Sequence, residues 1–336
     1  MSVNFDLTTI WAFVIAFAVF AYVVMDGFDL GIGILFPTLT VGHGRNRAMN
    51  SIAPVWDGNE TWLVMGGGGL MAAFPLAYAV ILPATYPLII AMLLGLVFRG
   101  VAFEFRHRDE RHRALWDFAF FAGSLAAALA QGMTLGAILQ GIEVADRAYA
   151  GSWWDWLTPY TLLTGLGVVA GYTLLGACWM IWKLEGDVQD KAYRLAVFAA
   201  IATLLLMAAV SAYNLVLLPE YRERWLAMPN ILFASQVPLL TAIIAGFLFY
   251  GLRKRWELAP FLLALALFLL GMAGLGVTIW PYVVPDALTI WEAAAPGRSQ
   301  VFMLIGLAIT LPLILGYTAW SYWVFRGKVG AEGYHH

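Results

Sequence analysis

The chain has 336 residues, of which 62% are hydrophobic and 12% are charged, with a formal net charge of −2. A soluble domain carries roughly 25% charged residues, so this composition excludes a soluble globular protein. The negative net charge and the lack of a basic stripe exclude a nucleic-acid partner, and the single cysteine, Cys178, excludes an intrachain disulfide and a cysteine-ligated iron–sulfur cluster.

Apolar runs of about 20 residues, the length that crosses a bilayer, recur along the whole chain. They predict an all-α integral membrane protein with about nine transmembrane helices. The join between the second and third helices is marked only by Phe74 and Pro75. The predicted helices cover residues 10–38, 52–73, 76–100, 114–140, 160–182, 194–217, 230–251, 258–280 and 300–325.

The distribution of the 19 Lys and Arg residues predicts the orientation of these helices. Fourteen of them follow odd-numbered helices, as Arg253, Lys254 and Arg255 do, and four follow even-numbered helices. Because positively charged loops stay in the cytoplasm, the N-terminus is predicted outside and the C-terminus in the cytoplasm. We expect a bacterial cytoplasmic membrane.

Ionisable residues inside the bilayer are costly and are functional candidates. They are concentrated in the first three predicted helices, as Asp26 and Asp29, then Asp57 and Glu60, then Arg99 and Glu104. Asp26 lies about 16 residues, or roughly 24 Å, from the outer end of its helix. The predicted orientation therefore places all six in the cytoplasmic half of the membrane.

Each pair of acids has i,i+3 spacing, which places its two members on one helix face. Asp26, Asp29, Asp57 and Glu60 could carry protons inward from the cytoplasm, with Arg99 and Glu104 forming structural ion pairs. Alternatively, Asp26, Asp57 and Arg99 form buried pairs that only lock three helices together. The glycines beside these acids, in a G-x-x-x-G at Gly27 and a run at 66–69, predict close helix packing.

A membrane haem usually needs an axial histidine inside a helix. All five histidines fall in predicted cytoplasmic loops or at the C-terminus, as His43, His107, His112, His335 and His336. The chain is therefore expected to hold no haem through its own histidines, although ligation by methionine or a carboxylate remains open. No metal site and no Walker or Rossmann motif is present, so the polypeptide alone does not look like a catalyst.

Eight segments resemble subunit II of cytochrome bd-type quinol oxidases, including the cyanide-insensitive members of that family. They are distributed from the first predicted helix to the last. The segments are Met25–Gly33, Asn50–Glu60, Gly67–Pro75, Phe98–Arg106, Lys183–Gly186, Trp280–Pro285, Leu288–Pro296 and Tyr317–Trp323.

The resemblance implies two four-helix bundles and one peripheral helix. The expected division is an N-terminal bundle over residues 1–140, a second bundle over 141–282, and the ninth helix with a cytoplasmic tail over 283–336. It also implies a related subunit I that contains haem b and haem d (or a further haem b) and oxidises membrane quinol. A small single-helix accessory subunit and a bound quinone or lipid are further candidate partners.

In this family a cytoplasmic proton path to the oxygen site passes partly through subunit II. Its acids match Asp26 and Asp57, whereas some members have glutamine where this chain has Glu60. The leading hypothesis is therefore a haem-free subunit of a quinol oxidase that reduces O₂ to water. The alternatives are a proton-coupled secondary transporter, which would also need acids in the inner half, and a purely structural assembly subunit.

Overall fold

The computed structural model describes residues 6–330, and this part of the chain is mostly helical. Eight of its helices are long and apolar enough to cross a membrane, if the short helix α9 (Ile231–Ala234) is counted with α10, which follows it. They are α1 (Leu7–Leu35), α4 (Pro75–Arg108), α5 (Arg113–Leu139), α6 (Pro159–Lys183), α7 (Asp187–Leu217), α10 (Gln236–Arg253), α11 (Ala259–Ile279) and α13 (Gly297–Val324).

The remaining predicted transmembrane helix is α3 (Trp56–Ala73), which has 18 residues. Its first turns contain Asp57, Asn59 and Glu60, so it is less apolar than the other eight. It lies antiparallel beside α1: Asn59 donates to the Met25 carbonyl at one end, and a Cβ on Gly69 would lie 3.4 Å from Ile15 at the other. The predicted all-α membrane fold is therefore confirmed. Of the nine predicted transmembrane helices, α3 is the one that is not apolar enough to be identified as membrane-spanning from its composition.

Two predicted helix boundaries differ clearly from those in the structure. α4 continues to Arg108, eight residues beyond the predicted end at 100, and α7 begins at Asp187 rather than at 194. The hydropathy of a helix falls where it leaves the bilayer, but its hydrogen bonding does not have to end there. Asp187 and Asp190 also stabilise the first turn of α7, because their negative charges lie at the positive end of the helix dipole.

Short elements complete the loops. They are the helices α2 (His43–Asn50), α8 (Pro219–Leu226) and α12 (Ile290–Ala293), and the two-stranded antiparallel hairpins β1 (Val144–Ala145) with β2 (Ala148–Tyr149) and β3 (Tyr282–Val284) with β4 (Leu288–Thr289).

Small residues set the closest helix contacts, as the glycine pattern near α1 predicts. A Cβ on Gly31 of α1 would lie 1.8 Å from the Tyr172 carbonyl oxygen of α6. A Cβ on Gly95 of α4 would lie 2.7 Å from the Gly123 carbonyl of α5. Glycine at these points allows the backbones to touch. In the run at 66–69, however, Gly67 and Gly68 face open space, so only half of that run packs against α1.

Helix α1 lies at the centre of the packing. It contacts α3 and α5, which belong to the predicted N-terminal bundle, and also α6 and α11, which belong to the predicted second bundle. The division into two bundles remains a prediction. Because α1 has neighbours on several sides, acids on this helix can meet side chains from several helices at once.

Candidate functional site

A buried ion cluster joins α1, α3 and α4. Asp26 and Asp29 on α1 are both 0% exposed, and so is Arg99 on α4. One terminal nitrogen of Arg99, Nη1, donates to Asp26 Oδ1 at 2.7 Å and to Glu60 Oε1 on α3 at 2.9 Å. The other, Nη2, lies 3.7 Å from Asp29 Oδ2. Four of the predicted site residues are therefore brought together around one guanidinium group.

Three further side chains complete this cluster. Asn59 on α3 donates to Asp29 Oδ2 at 2.7 Å, and the Tyr322 hydroxyl on α13 donates to Asn59 Oδ1 at 2.8 Å. The guanidinium carbon of Arg99 lies 6.0 Å from the ring centroid of Trp56, within the range of a cation–π contact. The network thus ties α13, the last transmembrane helix, to the first.

The cluster contains more acid than base. Arg99 can balance one of the three carboxylates, and full ionisation would leave a net charge of −2 among side chains that are mostly removed from water. Uncompensated charge in such an environment is expensive, and a bound proton reduces the cost. Asp26 Oδ2 and Asp29 Oδ1 have no hydrogen-bond partner within the part of the chain that the structure describes. Lone pairs are therefore available to accept a proton without breaking the contacts to Arg99.

Two predicted site residues lie elsewhere. Asp57 is exposed on α3 and does not pair with Arg99. The alternative in which Asp26, Asp57 and Arg99 lock three helices together is therefore wrong about Asp57, because Glu60 is the acid of α3 that pairs with Arg99. Glu104 is 59% exposed and approaches only Arg108, at 4.0 Å, one turn away along α4. A surface pair of this kind contributes little to stability.

A second ion cluster lies where α4 ends and α5 begins, and no local sequence pattern indicates it. Asp117 on α5 accepts from Arg106 Nε and, at 2.5 Å, from Arg45 Nη1. Arg106 also donates to Asn46 Oδ1 at 2.7 Å. The Phe36 ring faces both arginines, at 5.5 Å from Arg45 and 5.3 Å from Arg106. These arginines, predicted only as positive loop charges, join α2 to α4 and α5.

The described part of the chain contains three histidines, His43, His107 and His112, and all three are exposed at or near helix ends. No group of three or more His, Cys, Asp or Glu side chains in that part of the chain has the geometry of a metal site. His335 and His336 lie outside the described residues. None of the three described histidines therefore lies inside a membrane-spanning bundle, where an axial haem ligand would be needed.

Comparison with known proteins identifies the family. The model of the family described as cytochrome bd terminal oxidase subunit II matches residues 7–325. The chain belongs to this family. It is subunit II of a cytochrome bd-type quinol oxidase, a multi-pass membrane protein of a respiratory oxidoreductase that contains haem and has a subunit I.

Individual relatives agree with this assignment. The chain is 30% identical to cytochrome bd-I ubiquinol oxidase subunit 2 of Escherichia coli K12, over 97% of this chain and 96% of the relative. It is 29% identical to cytochrome bd ubiquinol oxidase subunit 2 of Bacillus subtilis 168, over 96% of this chain and 97% of the relative. A chain of the bd oxidase from Geobacillus thermodenitrificans has the same fold, with a TM-score of 0.78, 18% identity and coverage of 95% and 98%.

Proposed function

We propose that this subunit contains no haem, stabilises subunit I, and provides part of a proton path from the cytoplasmic side through Asp26, Asp29, Asp57 and Glu60. The observation that carries the proposal is the Arg99 cluster, in which three carboxyl groups share one guanidinium group. Haem b and haem d (or a further haem b) would then be bound by subunit I, which oxidises membrane quinol. The exposed positions of the described histidines support this division of labour.

The geometry suggests an order along the path. Asp57 is exposed on α3, Glu60 has a side chain 26% exposed, and Asp26 and Asp29 are fully buried. A proton that enters at Asp57 or Glu60 therefore has acceptors at increasing depth. Membership of an oxidase subunit family favours this role over a secondary transporter. The purely structural alternative remains the competitor, because Arg99 and its partners also hold three helices together.

Replacing Asp26 by asparagine separates these two possibilities. Asparagine preserves the size of the side chain and an oxygen that accepts from Arg99, but it cannot carry a proton. We expect the Asp26→Asn oxidase to assemble with its haem complement and to be reduced by quinol at a normal rate. Its steady-state O₂ consumption should fall by at least about tenfold, as when a proton-transferring group is removed.

The measurements are oxygen uptake and anaerobic haem reduction by quinol in the purified complex. Asp109→Asn serves as the control, because Asp109 is an acid of the α4–α5 loop that interacts with His112 and lies outside the cluster. Its turnover should be unchanged. Full turnover of assembled Asp26→Asn enzyme would favour the structural alternative.

We further propose the orientation predicted by the charged loops, with the α12–α13 connection outside and the α10–α11 connection in the cytoplasm. Single cysteines at Arg298 and Lys254, which are both exposed, test it with a membrane-impermeant thiol reagent. Cys178 is 0% exposed and should give no background. In intact cells Arg298→Cys should react and Lys254→Cys should not, whereas both should react in opened membranes. The reverse pattern would contradict the topology.

A further inference from the structure

The second ion cluster contains more base than acid. Asp117 is the only carboxylate in the described part of the chain that forms an ion pair with Arg45 or Arg106. A third arginine, Arg113, lies one turn before Asp117 on α5, and this i,i+4 spacing places both residues on one helix face. Three positive charges against one negative charge leave a net charge of +2 where α4 ends and α5 begins. We call these four residues the arginine cluster.

Three N–H donors of the arginine cluster have no acceptor. Arg106 is 0% exposed, and its Nε and Nη1 atoms donate to Asp117 and Asn46. Its remaining nitrogen, Nη2, has no hydrogen-bond partner within the described residues, and the same is true of the buried Nε atoms of Arg45 and Arg113. An unsatisfied buried donor costs more free energy than a typical hydrogen bond contributes, and the cost is larger for a charged group. Acceptor oxygens from outside this chain would therefore stabilise the cluster.

The start of α5 favours a negatively charged ligand for a separate reason. The N-terminus of a helix has a partial positive charge and is stabilised by negative groups, but α5 begins with Arg113 and has no acidic residue in its first turn. Two acids of the same region are paired elsewhere, since Glu104 approaches Arg108 and Asp109 approaches His112. The excess positive charge is therefore not balanced by these neighbouring acids.

Exposed apolar side chains flank the cluster on both helices. Phe105 on α4 is 48% exposed, and Leu115 and Phe118 on α5 are 57% and 63% exposed. Phe105 also contacts Trp116 of α5, with ring centroids 5.5 Å apart, so the apolar surface continues from one helix to the other. Both helices are long and apolar enough to cross a membrane. Cationic donors beside such a surface match a ligand that has a phosphate group and hydrocarbon chains in one molecule.

We propose that the arginine cluster binds the phosphate group of an anionic phospholipid whose acyl chains lie against Phe105, Leu115 and Phe118. Guanidinium groups suit this ligand because they can donate two parallel hydrogen bonds to phosphate oxygens. Basic pockets between transmembrane helices bind anionic lipid head groups in the same way. Arg113 contacts the phosphate directly, and Arg106 supplies the unpaired Nη2 donor and positive charge behind it. This inference is independent of the proposed proton path.

The test is the melting temperature of the purified, detergent-washed oxidase during titration with short-chain phosphatidylglycerol. A ligand that binds only the folded state raises the melting temperature as its concentration exceeds the dissociation constant. Phosphatidylglycerol should raise it, whereas phosphatidylcholine of the same chain length and inorganic phosphate should have little effect at the same concentrations. In Arg113→Gln the half-saturating concentration of phosphatidylglycerol should rise at least about tenfold, as expected for loss of a hydrogen bond between charged groups.

Arg111→Gln is the matched control. Arg111 is an exposed arginine of the α4–α5 loop, two residues before Arg113, and its replacement removes the same charge. Its titration should match that of the unmodified oxidase. A second measurement is the amount of anionic phospholipid that co-purifies with the complex, determined by mass spectrometry. It should be lower in Arg113→Gln than in Arg111→Gln. If Arg113→Gln fails to assemble, Arg113→Lys replaces it, because lysine keeps the charge and loses the paired donors.

Equal half-saturating concentrations in the Arg113 and Arg111 variants would overturn the proposal and would favour a cluster covered by protein, such as an acidic segment of subunit I. Equal stabilisation by inorganic phosphate would also overturn it, since the ligand would then be a free anion. If phosphatidylcholine stabilises the complex as well as phosphatidylglycerol does, the acyl chains alone account for binding, and the proposed anion site is wrong.

Discussion

Replacing Arg99 by glutamine should abolish accumulation of the assembled oxidase in the membrane. The Arg99 side chain is 1% exposed and is the only cation within hydrogen-bond or ion-pair distance of Asp26, Asp29 and Glu60 in the described part of the chain. Its loss leaves three carboxyl groups facing one another without compensation. Removing one partner of a buried ion pair typically costs about 3–5 kcal/mol, which is a large share of the stability of an ordinary domain.

The measurement is the amount of haem-containing complex and of co-purified subunit I recovered from membranes. Arg108→Gln is the matched control, nine residues further along α4. Its side chain is 78% exposed and is paired only with Glu104, at 4.0 Å, so its loss should cost about 0–1 kcal/mol and leave the yield unchanged. Normal accumulation of Arg99→Gln would show that the three carboxyl groups are stable without a cation, and that Arg99 does not balance their charge.

The sequence predicts the membrane fold well because the bilayer imposes one simple rule on helix length and composition. Runs of apolar residues and the bias of Lys and Arg toward one side are both local signals. The predicted end of α4 and the predicted start of α7 are wrong because the last turns of α4 and the first turns of α7 are rich in charged residues, so hydropathy does not report the helix there. The predicted break between α3 and α4 at Phe74 is correct, because proline at the first position of α4 is a local helix-start signal.

The sequence predicts the site in part. The positions of the acids along their helices correctly bring Asp26, Glu60 and Arg99 together. The i,i+3 spacing predicts one shared face for each pair of acids, which holds for Asp26 and Asp29 around Arg99 but not for Asp57 and Glu60. The spacing cannot decide between Asp57 and Glu60, because residues three apart differ by about 60° around a helix with 3.6 residues per turn. That difference directs Glu60 toward Arg99 and leaves Asp57 exposed.

Other parts of the site depend on tertiary contacts that no local pattern contains. Tyr322 reaches Asn59 across 263 positions of the chain. Asn59 belongs to the W-D-G-N segment that carries the family resemblance, but a search for charged residues inside the membrane does not select it because it is uncharged. In such a sequence, uncharged hydrogen-bond donors within two helical turns of a buried acid should therefore also be considered as candidate site residues.

Replacing Gly31 by alanine should be the most damaging single-methyl change in α1. The added Cβ would lie 1.8 Å from the Tyr172 carbonyl oxygen and 2.9 Å from the Gly176 nitrogen, both of which are backbone atoms of α6. A flexible side chain could move aside, but here the two helices must separate. Overpacking of a tight interior typically costs about 1–3 kcal/mol, and a backbone clash should reach or exceed the upper end of that range.

Separation of α1 from α6 would also disturb the ion cluster, because Asp26 and Asp29 lie within two turns of Gly31 on the same helix. We therefore expect Gly31→Ala to reduce both the thermal stability of the complex and the turnover of what remains. Gly246→Ala on α10 is the control, since a Cβ at that position meets no other atom within 4 Å. Alanine there should be neutral or slightly stabilising, by up to about 1 kcal/mol, through its higher helix propensity. Equal melting temperatures for the two variants would mean that α1 and α6 accommodate a methyl group at Gly31 without loss of stability.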